Sequence, residues 1–177
     1  MAPAPEKPVG LREVPDPAAG YADPDERPPL FHYLVVMGIF NSLLATALLL
    51  AKRSGRELPE RVDPADLALV GTASHKLSRL ISKDKVTSPL RAPFTELKGS
   101  GGPAELEESS RGKGARKALG ELLVCPYCLD LWVVAAFSVG LLFAPRLTRF
   151  LASLFAALTI SDFFQIAYKA AEEKGLG

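Results

Sequence analysis

The sequence predicts an all-α protein, an integral membrane bundle of three or four helices whose last two form a hairpin. Three observations predict it. Phe31 to Ala51 and Leu131 to Ala144 contain no charged residue, and a stretch of about 20 apolar residues crosses the hydrocarbon of a bilayer. A third apolar run, from Arg149 to about Tyr168, follows after a short Pro145–Thr148 turn. The cations are lopsided, with fourteen of the 21 Lys and Arg residues between Lys52 and Lys117. The overall composition, 48% hydrophobic and 23% charged, hides this segregation.

Residues 1–29 are rich in Pro, Ala, Asp and Glu and poor in large apolar side chains. Such a segment buries too little surface to offset its ordering entropy, so a disordered tail is expected. Residues 30–52 form the first membrane helix, marked by Pro28-Pro29 before it and Lys52-Arg53 after it. A proline-rich charged leader precedes this run and no A-x-A-like exit follows it, which reads as a retained span and not a signal peptide. Gly38, Ser42 and Thr46 lie four apart and offer a seam for another helix.

A further membrane domain is expected over 64–171. Pro64 opens its first helix, 64–82, with Asp63 as N-cap. Leu69, Val70, Ala73, Leu77, Leu80 and Ile81 recur at helical spacing, and Ser74, Lys76, Ser78 and Ser82 fall on the opposite face. The helix either lies on the membrane surface or crosses it. Residues 83–118 read as a loop in which the acids Glu105, Glu107 and Glu108 and the bases Arg111, Lys113, Arg116 and Lys117 are solvated. Asp84, Thr87, Ser88 and Arg91 cluster at its start, with Asp84 and Arg91 able to pair. Membrane helices 126–144 and 149–169 complete the chain. Their small faces, Ala136, Gly140 and Ala144 on one and Ser153, Ala157 and Ser161 on the other, are expected to pack together.

The excess of cations between the first and third spans puts loop 83–118 on the cytoplasmic side of the membrane, with the C-terminus beside it. The expected partners are membrane lipid and a protein partner or second copy. A net charge of +1 without an aromatic-interleaved basic face gives no reason to expect nucleic acid binding.

The residues Gly71 to Ile81, then Asp84-Lys85-Val86-Thr87-Ser88-Pro89-Leu90-Arg91, then Gly120 to Trp132 resemble a bacterial family of small membrane proteins, domain of unknown function 1360. The resemblance covers roughly 64–170. It implies a membrane address and no activity. Asp130 stands where members of that family carry glycine.

The chemistry-bearing candidates are few. Cys125 and Cys128, the two cysteines, flank Pro126 and Tyr127 at the start of an apolar helix. Pro126 suits the first helical turn, which sets Cys125 at the helix start, where free N–H groups and the dipole favour a thiolate. The pair can be a redox couple, half of a zinc site completed by His75, or a packing or acylation position. A standing disulfide is not expected on the reducing cytoplasmic side, and no cofactor beyond a zinc ion is suggested. Asp162 lies within the last span at about the depth of Trp132 and Asp130. Intramembrane carboxylates find partners, and His75, Lys76 or Arg79 are the available cations. No phosphate-binding glycine loop and no Ser/His/Asp set is present. The function expected is a non-enzymatic scaffold or accessory component of a membrane complex. The alternative is a thiol-redox or thiolate–metal protein using Cys125 and Cys128.

Overall fold

The computed structural model describes residues 20–22 and 27–175. The proline-rich segment expected to be disordered lies almost wholly outside the described residues. In chain order the elements are helix α1 (Leu30–Arg53), helix α2 (Pro64–Lys83), a single 3₁₀ turn (Lys85–Thr87), helix α3 (Ser88–Arg91), strands β1 (Thr95–Ser100) and β2 (Leu106–Ser110), and helices α4 (Gly114–Val124), α5 (Pro126–Phe143) and α6 (Pro145–Glu173). The fold is mainly helical, with one small antiparallel sheet of β1 and β2. Helices α1, α5 and α6 are long and apolar enough to cross a membrane. Leu34, Met37, Ile39, Leu49, Phe150, Leu154, Phe163 and Phe164 on α1 and α6 are exposed, large apolar side chains of the kind that lipid covers.

Helix α2 lies at the centre and packs on both α5 and α6. Asp63 caps it by accepting from the Ala65 N–H at 2.9 Å. Its direction follows from three contacts with α6. Asp66 accepts two hydrogen bonds from Arg149, at 2.8 and 2.7 Å. The Thr159 hydroxyl donates to the Thr72 carbonyl at 3.0 Å, and Lys76 Nζ meets Asp162 at 2.6 Å. Position numbers rise together, so α2 and α6 run parallel. Helix α5 turns back on α6 through Ala144 alone, bringing Phe137 and Phe155 edge to face. Val70, Ala73, Val133, Phe137 and Ala152 form the buried core of this trio.

Four expectations are corrected here. The serine side of α2 is not its outer face, since Ser74, Ser78 and Ser82 are buried beside Val70 and Ala73. Small side chains permit close helix approach, and the Ser78 and Ser82 hydroxyls bond to carbonyls of their own helix. The paired small faces of the last two helices do not meet as drawn. Ser153, Ala157 and Ser161 are exposed, and Thr148, Ala152 and Thr159 are the buried α6 residues. Gly140 faces Thr148, whose hydroxyl lies 2.7 Å from where a Cβ would stand. The turn expected over Pro145–Thr148 is the first turn of α6, which starts at Pro145.

The fourth correction is the largest. Residues 83–118 form a folded cap on the end of the bundle, where a loop was expected. Thr95 to Ser110 is a β-hairpin with an irregularity between Leu97 and Gly99, and α4 packs against β2. The acids expected to be solvated are paired: Glu105 with Arg79, Glu107 with Lys83 and Glu108 with Arg91. Arg91 does not ion-pair with Asp84. It is fully buried and donates to the Glu108 carboxylate, to the Ile81 carbonyl and Thr87 hydroxyl at 2.7 Å each, and to the Asp84 carbonyl at 3.0 Å. Thr87 in turn donates to the Leu80 carbonyl at 2.6 Å. Together they satisfy carbonyls at the α2 C-terminus, which a helix cannot bond internally.

Removing one partner of a buried ion pair leaves the other charge uncompensated. Arg91→Ala is therefore expected to cost about 3–5 kcal/mol, read as a fall in the unfolding midpoint in detergent and faster amide exchange in β1 and β2. Gly120 sits under the hairpin, and a Cβ there would lie 2.5 Å from the Phe94 carbonyl oxygen and 2.9 Å from Ser110 Cβ. Backbone cannot yield to such a contact, so Gly120→Ala is expected to destabilise by about 1–3 kcal/mol. Gly71→Ala, with open space around it, is the control that should not.

Candidate functional site

The cysteine pair sits at a joint. Residue Cys125 ends α4 and caps α5, with extended backbone (φ −101°, ψ 103°). Pro126 explains the break, since a residue before proline is pushed out of the helical region and proline itself suits the first turn. One residue thus divides two helices that would otherwise run as one from Gly114 to Phe143.

At this joint Cys125 and Cys128 are joined as a disulfide, with Cα atoms 5.2 Å apart. The expectation of an unpaired couple is corrected on this point. The first turn of a helix after an extended residue brings the two Cα atoms within the span a disulfide requires. Cys125 also acts as a side-chain cap, its sulfur accepting from the Cys128 N–H at 3.2 Å. Its carbonyl accepts from the Cys128 and Leu129 N–H groups, both at 3.1 Å. Cys128 is exposed and Cys125 only partly so. Tyr127, between them, is 88% exposed.

The surroundings hold the joint in place. Tyr33 of α1 donates to Glu121 of α4, which also faces Lys117 at 4.0 Å. One turn beyond the cysteines Trp132 packs edge to face on Phe40, ring centroids 5.1 Å apart. At the far end of α5 the Arg56 guanidinium donates to the Leu142 carbonyl at 2.7 Å and lies over the Phe143 ring. Helix α1 therefore runs parallel to α5. Between the two lies a lateral cleft of about 230 Å³ lined by Phe40, Leu43, Leu44, Ala47, Trp132 and small α5 side chains.

The other sequence candidates are dispersed. His75 is exposed on α2, and it does not join the cysteines. Among the described residues no three His, Cys, Asp or Glu side chains are grouped as a metal ion would need. Arg79 forms a two-point pair with Glu105 at 2.9 Å for each bond, tying α2 to the cap. Asp84 contributes its backbone, bridging to Glu105 and accepting from Arg91. Asp162 has the partner expected of it in Lys76. Asp130 has one carboxylate oxygen shielded from solvent and without a hydrogen-bond partner among the described residues. Sequence reasoning missed Glu108. Its signal was an acid two strand positions from Ser110 in a run taken for a charged loop.

A curated relative, "Sporulation protein YjcA" of Bacillus subtilis (strain 168), is 35% identical over 69 residues, 37% of this chain and 58% of the relative. The chain thus spans little more than half the length of that protein. No solved structure matches. The family described as "Protein of unknown function (DUF1360)" matches residues 69–168, a region that starts within α2 and holds the Arg91–Glu108 pair, the cap and the cysteine joint, and the chain belongs to that family.

Proposed function

We propose that this chain is a multi-pass protein of the bacterial inner membrane that acts as an accessory component, docking a protein partner on its folded cap. The observation that carries the reading is the cap itself. A segment between two helices is held rigid by a buried Arg91–Glu108 pair and two further ion pairs to α2. Such a fixed polar surface beside apolar helices suits presentation of a binding face. Val86 and Leu90, four residues apart on this cap, are 79% and 65% exposed, and exposed apolar groups on an otherwise polar surface mark interaction sites.

In this reading α1, α2, α5 and α6 all cross. Helix α2 has 20 residues, about 30 Å at 1.5 Å per residue, which matches a hydrocarbon core. Its Asp66 and Lys76 pair with α6, and its Arg79 and Lys83 pair with the cap. The cap end carries Lys83, Lys85, Lys98, Arg111, Lys113, Arg116 and Lys117, with Lys169 near the C-terminal end of α6 and Lys174 just after it. The opposite end carries Lys52, Arg53, Arg56, Arg61, Arg146 and Arg149. The balance favours a cytoplasmic cap, with both termini on that side. The name of the Bacillus subtilis relative supports a bacterial setting. A second copy could use the exposed Gly38, Ser42, Thr46 seam on α1.

Orientation is tested by thiol labelling. After mild reduction, an impermeant maleimide is expected to spare Cys125 and Cys128 in intact cells and to label them in inverted vesicles; labelling in intact cells overturns the topology. Docking is tested with a photo-crosslinking residue placed at Leu90 or, as control, at Leu49 on the lipid side of α1. A discrete protein adduct is expected from position 90 in native membranes and none from position 49. Absence of a protein adduct at 90 refutes the docking role.

A further inference from the structure

The joint between α4 and α5 is asymmetric in a way that bears on sulfur chemistry. Cys128 is the exposed member of the pair, while Cys125 is partly covered and holds the capping position. Thiol–disulfide exchange depends on which sulfur an incoming thiolate can reach and on how well the other sulfur leaves. Here both factors select the same direction. Access favours attack on Cys128. Departure favours Cys125, because its sulfur already accepts the Cys128 N–H at 3.2 Å and sits at the positive end of an 18-residue helix.

We propose that this disulfide is an exchanging one, attacked at Cys128 by a thiolate from a dithiol, with Cys125 as the leaving thiolate. The inference is independent of the docking role and holds whether or not the cap binds a partner. In the first step the substrate sulfur bonds to Cys128 Sγ. The Cys125–Cys128 bond breaks, and its electron pair goes to Cys125, whose thiolate the α5 N-terminus stabilises. In the second step the substrate's other thiolate attacks its own sulfur in the mixed disulfide. A substrate disulfide forms and Cys128 leaves as a thiolate that takes a proton from water. Two electrons have passed from the dithiol to the chain. The same steps run backwards, with a low-molecular-weight disulfide as oxidant, restore the pair. Tyr127 stands exposed beside Cys128 and offers an aromatic contact to whatever carries the thiol.

The experiment uses the full chain, purified oxidised in detergent. It is exposed briefly to glutathione, quenched in acid and alkylated, and the mixed disulfide is mapped by mass spectrometry. Glutathione is expected on Cys128 with the alkyl group on Cys125. Glutathione on Cys125, on both alike, or on neither overturns the proposal. As a second measurement, Cys125→Ser and Cys128→Ser are reacted with an aromatic disulfide. The pH dependence of the rate is expected to show Cys125, in the second variant, ionising at lower pH than Cys128 in the first, as the better-leaving sulfur must; an equal or reversed order overturns it. Reduction rates with dithiothreitol and with a peptide carrying two neighbouring cysteines then separate the sources of the dithiol. A faster peptide assigns it to proteins, a faster small dithiol to the soluble thiol pool.

Discussion

The cap is tied to the bundle by a guanidinium with no exposure to water, which joins three elements of the chain. Arg91 is delivered by a helix of only four residues, which has no stability of its own. What holds that helix is the set of bonds Arg91 makes to the end of α2, to the 3₁₀ turn and to β2. The desolvation cost of such a pair is offset only when the remaining donors also find partners. Here the Nη atoms do, through Ile81, Thr87 and Asp84. The hairpin, α4 and the cysteine joint are positioned in turn by the strand that carries Glu108.

Helix α2 shows the complementary constraint. It carries more polar groups than its apolar neighbours, yet it occupies the centre. Its small side chains let α5 and α6 approach, and its charged side chains are spent on partners at successive levels: Asp66 on Arg149, Lys76 on Asp162, Arg79 on Glu105 and Lys83 on Glu107. The ladder fixes both the direction and the register of α2 against α6 and the cap. An apolar helix in the same place could slide.

The legible part of this molecule was the part governed by long-range apolar periodicity. The boundaries of α1, α2 and α5, the Asp63 cap, the Pro126 start and a partner for Asp162 could all be derived from residue order. The cap could not. Leu97 and Leu106 are the only large apolar side chains in its two strands, so no alternating pattern announced a sheet. Its stability comes from pairings between residues 17 to 26 positions apart, such as Arg91 with Glu108 and Arg79 with Glu105, which composition does not reveal. The serine face of α2 was misassigned for a related reason. Between closely packed helices, side-chain size matters more than polarity. Cys125 and Cys128 were identifiable as a pair, but the asymmetry between them depends on backbone geometry at one residue.

The attachment of α1 has a consequence for how the protein is made. Its anchoring contacts are to residues some 85 to 90 positions later in the chain: Tyr33 to Glu121, and Arg56 to Leu142. During synthesis this helix is finished well before any of those groups leaves the ribosome. Under the proposed topology it must wait in the bilayer as a solitary segment, wetted by acyl chains on every side, and its cleft with α5 closes only when the later hairpin arrives. The order of assembly is thus written into the spacing of its partners.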